Sequence, residues 1–428
     1  MSEEEGRDFV RLIFIKAGRR IVRTAVFLFG GALLGILALV LVYCIPVAPM
    51  AENVRLSMPM LEREFVDGDV ILGYPASTAG TFTDCVMLGS AVYDAGGHSK
   101  LEQAMYVYRA ESGTEDAWMP GYSLRDYLNG DTGQLELEYS RYWHGYLVFL
   151  KPLLYLQTVN SIRLEASIVQ ILLVGGILIL CMKRGEIGLA ASFLISTPFF
   201  YFFTLYQSLS LSICFYIMAF CLVIQLKYHE KLEERGWYAD FFLLTGMATA
   251  YFDFLTWPLV TLGFPLCVYL YLREGSAKQK LRKTAVFCME WSVGYVGLWA
   301  LKWILAELLV GGNALVSAGN ALTERTGTVS GVGLFAVWWE NIAAYQNQAF
   351  VMLGVVILLW FLYCLRKKGC RFWKNIDVII LGTGVLPFVW FGLTQNHSFE
   401  HAVFTFKILS ITVFSVCCAI AKRKKIPG

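Results

Sequence analysis

Long runs of apolar residues recur along this chain and limit what it can fold into. The run at 21–45 carries no charged residue after Arg23. An α-helix needs about 20 apolar residues to cross the roughly 30 Å hydrocarbon core of a bilayer, and backbone groups in lipid must bond within the segment. The composition agrees, because 57% of the residues are hydrophobic and 16% are charged, whereas a soluble domain has about a quarter charged. The sequence therefore predicts an all-α integral membrane protein.

Ten of these runs are predicted to span the membrane as helices. They lie at 21–45, 162–182, 187–206, 209–226, 239–253, 255–272, 284–309, 349–365, 376–393 and 401–421. The fifth and sixth are short and meet near Asp253, so one kinked hairpin is an alternative for them. A further apolar stretch, 142–159, contains His144, Lys151 and Pro152. We interpret it as an interfacial or re-entrant helix on the outer face, not as an eleventh span.

Lysine and arginine predict the orientation, since they are enriched in cytoplasmic connections. With ten spans, 25 of the 36 Lys and Arg residues fall on one side, in the N-terminal segment, in alternate connections and in the C-terminal tail. Both termini are therefore predicted to be cytoplasmic. The chain divides into a cytoplasmic segment, 1–20, and one polytopic membrane domain, 21–428. The first span follows a polar and basic segment, which favours a retained anchor over a cleaved signal peptide.

Two long connections lie on the opposite, outer face. The first, 46–160, is predicted to contain amphipathic helices and holds fifteen acidic and seven basic residues. The second, 310–348, begins with Gly, Ser and Thr and becomes amphipathic around Trp338 and Trp339, which suit a membrane interface. The cytoplasmic face offers only basic loops that orientation already explains. We therefore expect any chemistry at the outer face, and we expect no nucleic-acid partner.

Asp84 opens a helical apolar pattern in TFTDCVML, 81–88. One interpretation is an aspartate that caps a surface helix, a common use of this residue. The other is a general base that accepts a proton from an attacking hydroxyl. Asp67 and Asp69 form a DxD pair in the same connection. Hard divalent cations prefer such carboxylate oxygens, so this pair leaves a metal open.

The stretch YSRYWHGYLVFLKPLLYL, 139–156, places Arg141, His144 and Lys151 on the outer face. Its tyrosines and Trp143 are typical of a membrane-interface belt, in which cations reach out to water. Such a belt does not explain His144. Arg141 and Lys151 are also exceptions to the positive-inside pattern, which makes them candidates for binding an anionic ligand.

Asp253 lies between two short apolar segments, in AYFDFLTWPLV. Ionisable residues at membrane depth are usually functional or paired. A turn-forming aspartate that caps the next helix is an equal alternative.

The most strongly charged membrane edge is QNHSFEHAVFTFK, residues 395–407. His397 and His401 are four apart and share one face of a helix, with Glu400 between them and Lys407 about two turns deeper. The residue order differs from the HExxH pattern of zinc helices. We therefore favour imidazolium and ammonium groups that bind a lipid-linked phosphate over a zinc site.

The layout resembles the GT-C superfamily of membrane glycosyltransferases, in particular bacterial members that depend on polyprenyl-phosphate sugars. TFTDCVML matches the place of their essential acidic residue, and YSRYWHGYLVFLKPLL matches an amphipathic outer segment. NHSFEHAVFTFK is similar to their histidine-and-basic motifs at the outer end of a late helix. The resemblance covers most of the chain as a layout. One departure is that Asp84 stands alone, where the family has a pair of acidic residues.

The resemblance implies transfer of a sugar, with inversion, from a polyprenyl-phosphate donor to a cell-envelope glycan or lipid acceptor outside the plasma membrane. It assigns Asp84 as the catalytic base and leaves open a Mg²⁺ or Mn²⁺ ion on the phosphate. The implied donor-phosphate ligands are Lys407, His401, His397, Arg141 and His144, and the implied substrate contacts are Glu400, Asp253 and Lys151.

Two other functions are compatible with a polytopic membrane protein. A transporter or lipid flippase predicts polar residues through the depth of several spans, whereas the polar groups here collect on one face. A non-catalytic scaffold of the cell envelope predicts that the outer charged residues tolerate substitution.

Overall fold

The computed structural model describes residues 3–67, 77, 80–112, 119–131, 135–328, 331–346 and 376–422, with short pieces between 350 and 366. Regular structure in this part is almost entirely α-helical, and its two strands have four residues each. The all-α prediction is confirmed at that level. Most of the predicted span 349–365 lies outside the described residues, as do the side chains of Asp67 and Asp69.

The elements follow one another in this order. The first part contains α1 (Glu3–Val42), α2 (Val47–Arg55), α3 (Met58–Asp67), α4 (Thr81–Val92), α5 (Lys100–Tyr106), β1 (Tyr108–Glu111), α6 (Pro120–Asn129), β2 (Leu135–Glu138) and α7 (Leu147–Leu156). The middle contains α8 (Val159–Lys183), α9 (Ile187–Ser196), α10 (Phe202–Leu205), α11 (Ser212–Glu234), α12 (Tyr238–Phe252), α13 (Val260–Leu272) and α14 (Ala277–Leu309). The last part contains α15 (Ala314–Thr326), α16 (Leu334–Ala343), α17 (Val378–Thr383), α18 (Leu386–Leu393), α19 (Gln395–Glu400), α20 (Ala402–Thr405) and α21 (Ser410–Ala421).

Five helical segments of the described part are long and apolar enough to cross a membrane. They are Ala17–Val42 within α1, the whole of α8, α11 and α14, and Ala402–Ala421, which joins α20 to α21. Each coincides with a predicted span. The chain is a membrane protein by the length and composition of these helices, but the predicted total of ten spans is not confirmed.

Other predicted spans form shorter helices. α12 has 15 residues and α13 has 13, and a helix of 13 residues covers about 20 Å. The predicted span 187–206 breaks after α9 at a 3-10 turn that contains Pro198, and the predicted span 376–393 divides between α17 and α18. Proline has no N–H to continue a helical ladder, so it begins a new segment. Apolar composition alone does not show these breaks.

Helices α12 and α14 pack backbone against backbone. A Cβ atom added to Gly246 would lie 2.1 Å from the Trp291 carbonyl oxygen, and one added to Gly294 would lie 2.1 Å from the Leu243 carbonyl oxygen. Small residues allow membrane helices to approach this closely, so that van der Waals contacts hold them together. These two glycines therefore fix the contact between the helices.

Ion pairs connect α1 to both helices of this pair. Arg20 donates to Asp240 of α12 and to Glu290 of α14, with Nη2 at 2.5 Å from the Glu290 carboxylate. Arg23 lies 2.6 Å from Asp240. The sequence assigned these arginines only to orientation, and the structure shows that they also join three helices.

Two buried lysines hold helices of the first outer connection in place. Lys151 of α7 donates to the Ala91 carbonyl at 2.6 Å, near the end of α4. Lys302 of α14 donates to the Met105 carbonyl, near the end of α5. The last carbonyls of a helix have no partner within it, so each lysine satisfies a group that would otherwise be buried unbonded.

Helix α7 is the stretch predicted to be interfacial or re-entrant. It has ten residues, with Pro152 inside, and a helix of ten residues covers about 15 Å, half the thickness of the hydrocarbon core. It packs against α1, α2 and α4. This length agrees with a helix that does not cross the membrane alone.

The segment 395–409 is divided into short pieces, where the sequence predicted a span from residue 401 onwards. α19, α20 and a 3-10 turn, Phe406–Leu409, precede α21. Asn341 of α16 holds two of the pieces together, because it donates to the Ser398 carbonyl at 2.8 Å and accepts from the Thr405 hydroxyl at 2.7 Å. The second outer connection therefore packs directly on this segment.

Candidate functional site

Three segments that are far apart in sequence meet beside α19. The end of α15 is joined to it, because the Asn396 N–H donates to the Gly327 carbonyl at 3.1 Å. The turn after α12 reaches the same place through Leu255, whose carbonyl accepts from His397. Arg325, in the last turn of α15, bonds to the other side of His397. We call the junction of Arg325, His397 and Leu255 the outer site.

His397 is buried and uses both ring nitrogens. Nε2 lies 2.8 Å from the Leu255 carbonyl, which can only accept, and Nδ1 lies 2.5 Å from Nη1 of Arg325, which can only donate. This pattern assigns a neutral ring with its proton on Nε2. Burial and the Arg325 charge lower the pKa of His397 well below its ordinary value. His397 therefore orients a cation and is not itself the imidazolium that the sequence suggested.

Arg141 approaches the same region through Tyr139. The guanidinium carbon of Arg141 lies 5.4 Å from the centre of the Tyr139 ring. Burial raises the pKa of Tyr139, and the nearby guanidinium groups of Arg141, Arg325 and Arg109 oppose that shift. The charges of three arginines from different parts of the chain therefore act on one phenol, together with that of Glu324.

Arg141 and Arg325 differ from the other partly buried arginines in the described part of the chain. Each of the others has a carboxylate partner: Arg20, Arg109, Arg125, Arg163, Arg184 and Arg273. Within the same described ranges, neither Arg141 nor Arg325 forms an ion pair with a carboxylate. A cation that leaves water without a counter-charge is costly. These two guanidinium groups are therefore suited to an anion from outside the protein.

His144 is a second neutral histidine. Nε2 lies 2.7 Å from the Tyr139 carbonyl, and Nδ1 lies 3.0 Å from the Tyr146 hydroxyl. Burial lowers the pKa of His144 to about 3. His144 therefore fixes the segment that carries Arg141, and its ring nitrogens are occupied within the protein.

Asp253 is buried in the turn between α12 and α13. Its carboxylate accepts from the Thr256 N–H at 3.0 Å and from the Thr256 hydroxyl. Asp253 therefore forms a turn, as one alternative of the sequence analysis has it, but it does not cap α13, whose N-cap is Leu259. Leu255 lies inside this turn with φ at 66°, so Asp253 stabilises the strained backbone that presents a carbonyl to His397. Burial raises the pKa of Asp253 to about 6.

Asp84 is fully buried and bonds to a different region. Its carboxylate accepts from the N–H groups of Leu209 at 2.8 Å and Ser210 at 2.9 Å, and from the Ser210 hydroxyl at 2.8 Å. The helix-capping alternative is wrong, because Gly80 is the N-cap of α4 and Asp84 lies inside the helix. Burial raises the pKa of Asp84, and Arg163 at 3.7 Å opposes the shift. No hydrogen bond connects Asp84 to the outer site among the described residues.

Lys407 lies apart from the histidines with which it was predicted to act. Its Nζ is 5.0 Å from the centre of the Tyr201 ring and 4.3 Å from that of Phe406. In the part of the chain that the structure describes, no hydrogen bond or ring contact joins Lys407 to His397 or His401. The predicted phosphate clamp is therefore not assembled as one group, and Lys151 is likewise used inside the fold.

The remaining predicted residues are His401 and Glu400. The His401 ring lies 4.7 Å from the His397 ring and stacks on Phe404 at 5.3 Å, while Glu400 is exposed. No cluster of three or more metal-binding side chains occurs among the described residues.

An apolar groove of about 480 Å³ opens between α4, α7, α8 and α11. Its lining includes Met87, Phe149, Ile213, Tyr216 and Phe220. Phe149 is 61% exposed and Phe220 is 52% exposed, and α8 and α11 are long enough to cross a membrane. The groove is therefore suited to a hydrocarbon chain.

No protein-family model matches this chain, and no curated protein or solved structure matches it. The function is therefore interpreted from the residues of the site.

Sequence reasoning missed Arg325, although a signal for it was present. Arg325 is the single Lys or Arg residue in the outer connection 310–348. The argument that singled out Arg141, an outer cation against the positive-inside pattern, applies to it equally. Its partner His397 is 72 positions away, so spacing along the chain does not reveal the contact.

Proposed function

We propose that this protein is a membrane glycosyltransferase that moves a sugar from a polyprenyl-phosphate donor to a cell-envelope glycan or lipid acceptor at the outer face. The observation that carries the proposal is Arg325, which has no carboxylate partner in the described part and bonds to the neutral His397. Arg141, equally without a carboxylate partner there, lies over Tyr139, on which the charge of Arg325 also acts. A guanidinium group presents its donors in a fork that matches phosphate oxygens. The resemblance in layout suggests the sugar donor, and the chemistry of the site supports its phosphate.

The proposed reaction is one displacement at the anomeric carbon. The acceptor hydroxyl attacks that carbon, the bond to the phosphate oxygen breaks, and polyprenyl phosphate leaves with the electron pair. The carbon is inverted. Arg141 and Arg325 would stabilise the charge that the phosphate gains, which is the main way a preorganised site accelerates such a step. The proton of the acceptor hydroxyl passes to a carboxylate.

Two carboxylates are candidates for that proton acceptor. Asp84 is the residue that the sequence predicted, but its carboxylate bonds to the turn before α11 and has no hydrogen bond to the outer site among the described residues. Asp253 belongs to the turn that contacts His397, and its pKa, raised by burial to about 6, suits a base that works near neutral pH. We therefore favour Asp253, and the two variants Asp84→Asn and Asp253→Asn separate the alternatives.

The apolar groove supports a lipid-linked substrate. Its volume of about 480 Å³ and its apolar lining match part of a hydrocarbon chain. Tyr146 lines the groove and lies 4.8 Å, ring to ring, from Phe254, which neighbours Asp253. The contact between Tyr146 and Phe254 would therefore separate a lipid in the groove from a phosphate at the outer site.

The test uses protein in lipid nanodiscs and a panel of polyprenyl-phosphate-linked hexoses and pentoses labelled in the sugar. We expect the wild type to release or transfer the label from at least one donor. Asp253→Asn should bind the donor but transfer it at least about 100-fold more slowly, the usual effect of removing a general base. The proposal is wrong if the wild type neither binds nor turns over any member of the panel. A normal rate in folded Asp253→Asn would return the role to Asp84.

A further inference from the structure

Arg325 has hydrogen-bonding capacity that the described part of the protein does not use. Nη1 donates to Nδ1 of His397, while Nη2 forms no hydrogen bond with the described residues. The buried Nε also lacks a partner there, but a ligand cannot reach it. Arg325 is half-buried in the last turn of α15, so its guanidinium group is only partly hydrated. A ligand that supplies acceptor oxygens would bond to the accessible N–H groups of this guanidinium.

The position of Arg325 is fixed from several directions. The side chain of Asn396 donates to the Glu324 carbonyl at 3.0 Å, and the side chain of Gln395 donates to the Val332 carbonyl at 3.3 Å. Together with the bond from Asn396 to Gly327, these contacts hold the end of α15 against α19. The guanidinium group therefore projects from a junction that several hydrogen bonds hold.

His397 sets the direction of that guanidinium group. Because its Nε2–H is committed to the Leu255 carbonyl, its Nδ1 is an acceptor with a fixed direction. A neutral acceptor holds one N–H of Arg325 without neutralising its charge, whereas a carboxylate would cancel the charge. This arrangement leaves a full positive charge available for an anion.

Positive charge is in excess around Tyr139. The charges that act on its hydroxyl are the guanidinium groups of Arg109, Arg141 and Arg325 and the carboxylate of Glu324. Arg109 also has a carboxylate of its own, Glu111, at 3.7 Å.

We propose that Arg325 is the residue that binds the phosphoryl group of the ligand, with His397 as its positioning residue. This inference rests on the proposed function for the identity of the ligand, a phosphate linked to an isoprenoid chain. The chemistry of the site itself requires only an anion with several acceptor oxygens, which a phosphoryl group provides. The second outer connection, which contains Arg325, would therefore take part in binding the ligand.

The test measures binding of farnesyl phosphate, inorganic phosphate and farnesol to the full-length protein in nanodiscs by calorimetry. The wild type should bind farnesyl phosphate most tightly. Arg325→Gln should weaken that binding at least about tenfold, the effect of losing a charge-assisted hydrogen bond. Arg325→Lys should recover only part of it, because an ammonium group lacks the fork. Arg125→Gln, which removes a paired arginine of the first outer connection, is the matched control and should bind as the wild type does.

His397 is tested by two replacements that differ in one property. Gln can accept from Arg325 with its oxygen and donate to the Leu255 carbonyl with its amide, whereas Leu can do neither. We expect His397→Gln to keep binding within about threefold of the wild type and His397→Leu to lose it as Arg325→Gln does. Thermal melting of each variant separates loss of the site from loss of the fold. Equal binding by folded His397→Gln and His397→Leu would overturn the positioning role.

The outcomes also separate this inference from the proposed function. Unchanged farnesyl phosphate binding in folded Arg325→Gln overturns the inference, even if sugar transfer is observed. Arg325-dependent binding without sugar transfer from any donor supports the inference and counts against the glycosyltransferase. If inorganic phosphate binds as tightly as farnesyl phosphate, Arg325 binds a free phosphate, and the lipid part of the inference is wrong. Equal binding of farnesol and farnesyl phosphate would contradict a phosphoryl site.

Discussion

Hydrogen-bond partners distinguish the charged residues that serve this fold from those that remain available to a ligand. Lys151 and Lys302 are buried, and each donates to a helix-end carbonyl of the first outer connection. The Asp84 carboxylate likewise accepts hydrogen bonds from Leu209 and Ser210. Arg141 and Arg325, by contrast, contact a ring and a neutral histidine. The residue type does not make this distinction; the partners do.

Asp84→Asn should destabilise the protein whatever its effect on activity. An amide in place of the carboxylate would face the N–H groups of Leu209 and Ser210 with a donor, leaving at least one buried group unsatisfied. We expect a loss of about 1–3 kcal/mol in the free energy of unfolding. Thermal melting in detergent measures it, with Asp94→Asn, an exposed aspartate of the same connection, as the control. Equal melting temperatures for the two variants would contradict the structural role of Asp84.

The first outer connection should become less stable as the pH rises above neutrality. His98 lies 2.7 Å from Glu102 and 2.8 Å from Glu136, and its pKa is raised above 6.5, chiefly by the bond to Glu136. Its contribution is therefore complete below pH 6.5 and is lost as the pH rises through the raised value. The pKa of Glu102 is lowered by His98, so the contribution of Glu102 is lost only as the pH falls through that lowered value.

Hydrogen exchange of residues 100–111, corrected for the intrinsic pH dependence, measures this effect. Protection should be higher at pH 6 than at pH 8.5 in the wild type. His98→Gln, which cannot become charged, should show no such difference. The same pH dependence in both proteins would assign it to another group.

At the scale of elements, apolar composition predicted where helices lie better than where they break. The five long segments coincide with predicted spans, because about 20 apolar residues in a row have few other stable structures. The breaks at Pro198 and before Pro387 were not predicted, nor was the division of 395–409. These depend on contacts with other elements, such as Asn341 with Ser398, which the local sequence does not contain.

The roles of the predicted site residues depend on partners that are distant in sequence. Arg325 and His397 meet only because the end of α15 packs on α19. The sequence grouped Lys407 with His397 because they are close along the chain, whereas the structure places Lys407 against Tyr201. Periodicity reports one helix face and not which other segment covers it.

The contact between α12 and α14 gives a prediction at this scale. Gly294→Ala should separate the two helices, because the new Cβ would lie 2.1 Å from the Leu243 carbonyl oxygen. We expect a loss of about 1–3 kcal/mol, as for other overpacked sites. Gly176→Ala in α8 is the control, since its Cβ would meet no atom within 4 Å. Melting curves of the two variants that coincide would contradict the close packing.

At the scale of the whole molecule, the ion pairs agree with the predicted alternation of connections. Residues that pair must lie on the same side of the membrane, so an even number of crossings must separate them. The ten-span prediction meets this condition for three such pairs: Arg20 with Asp240, Glu233 with Arg273, and Lys280 with Asp377. The ten-span prediction also meets this condition for the bond from Lys302 to Met105, which lies on the predicted outer side. The number of spans and the position of the termini remain predictions.

The most direct measurement is the release of free polyprenyl phosphate from a labelled polyprenyl-phosphate sugar in proteoliposomes, followed by mass spectrometry. We expect release by the wild type and by Arg125→Gln, and release at least about 100-fold slower in Arg325→Gln, the usual effect of removing a group that stabilises developing charge. Release at the same rate in Arg325→Gln and the wild type, or no release by the wild type from any sugar donor tested, would contradict a glycosyltransferase that binds its donor phosphate at the outer site.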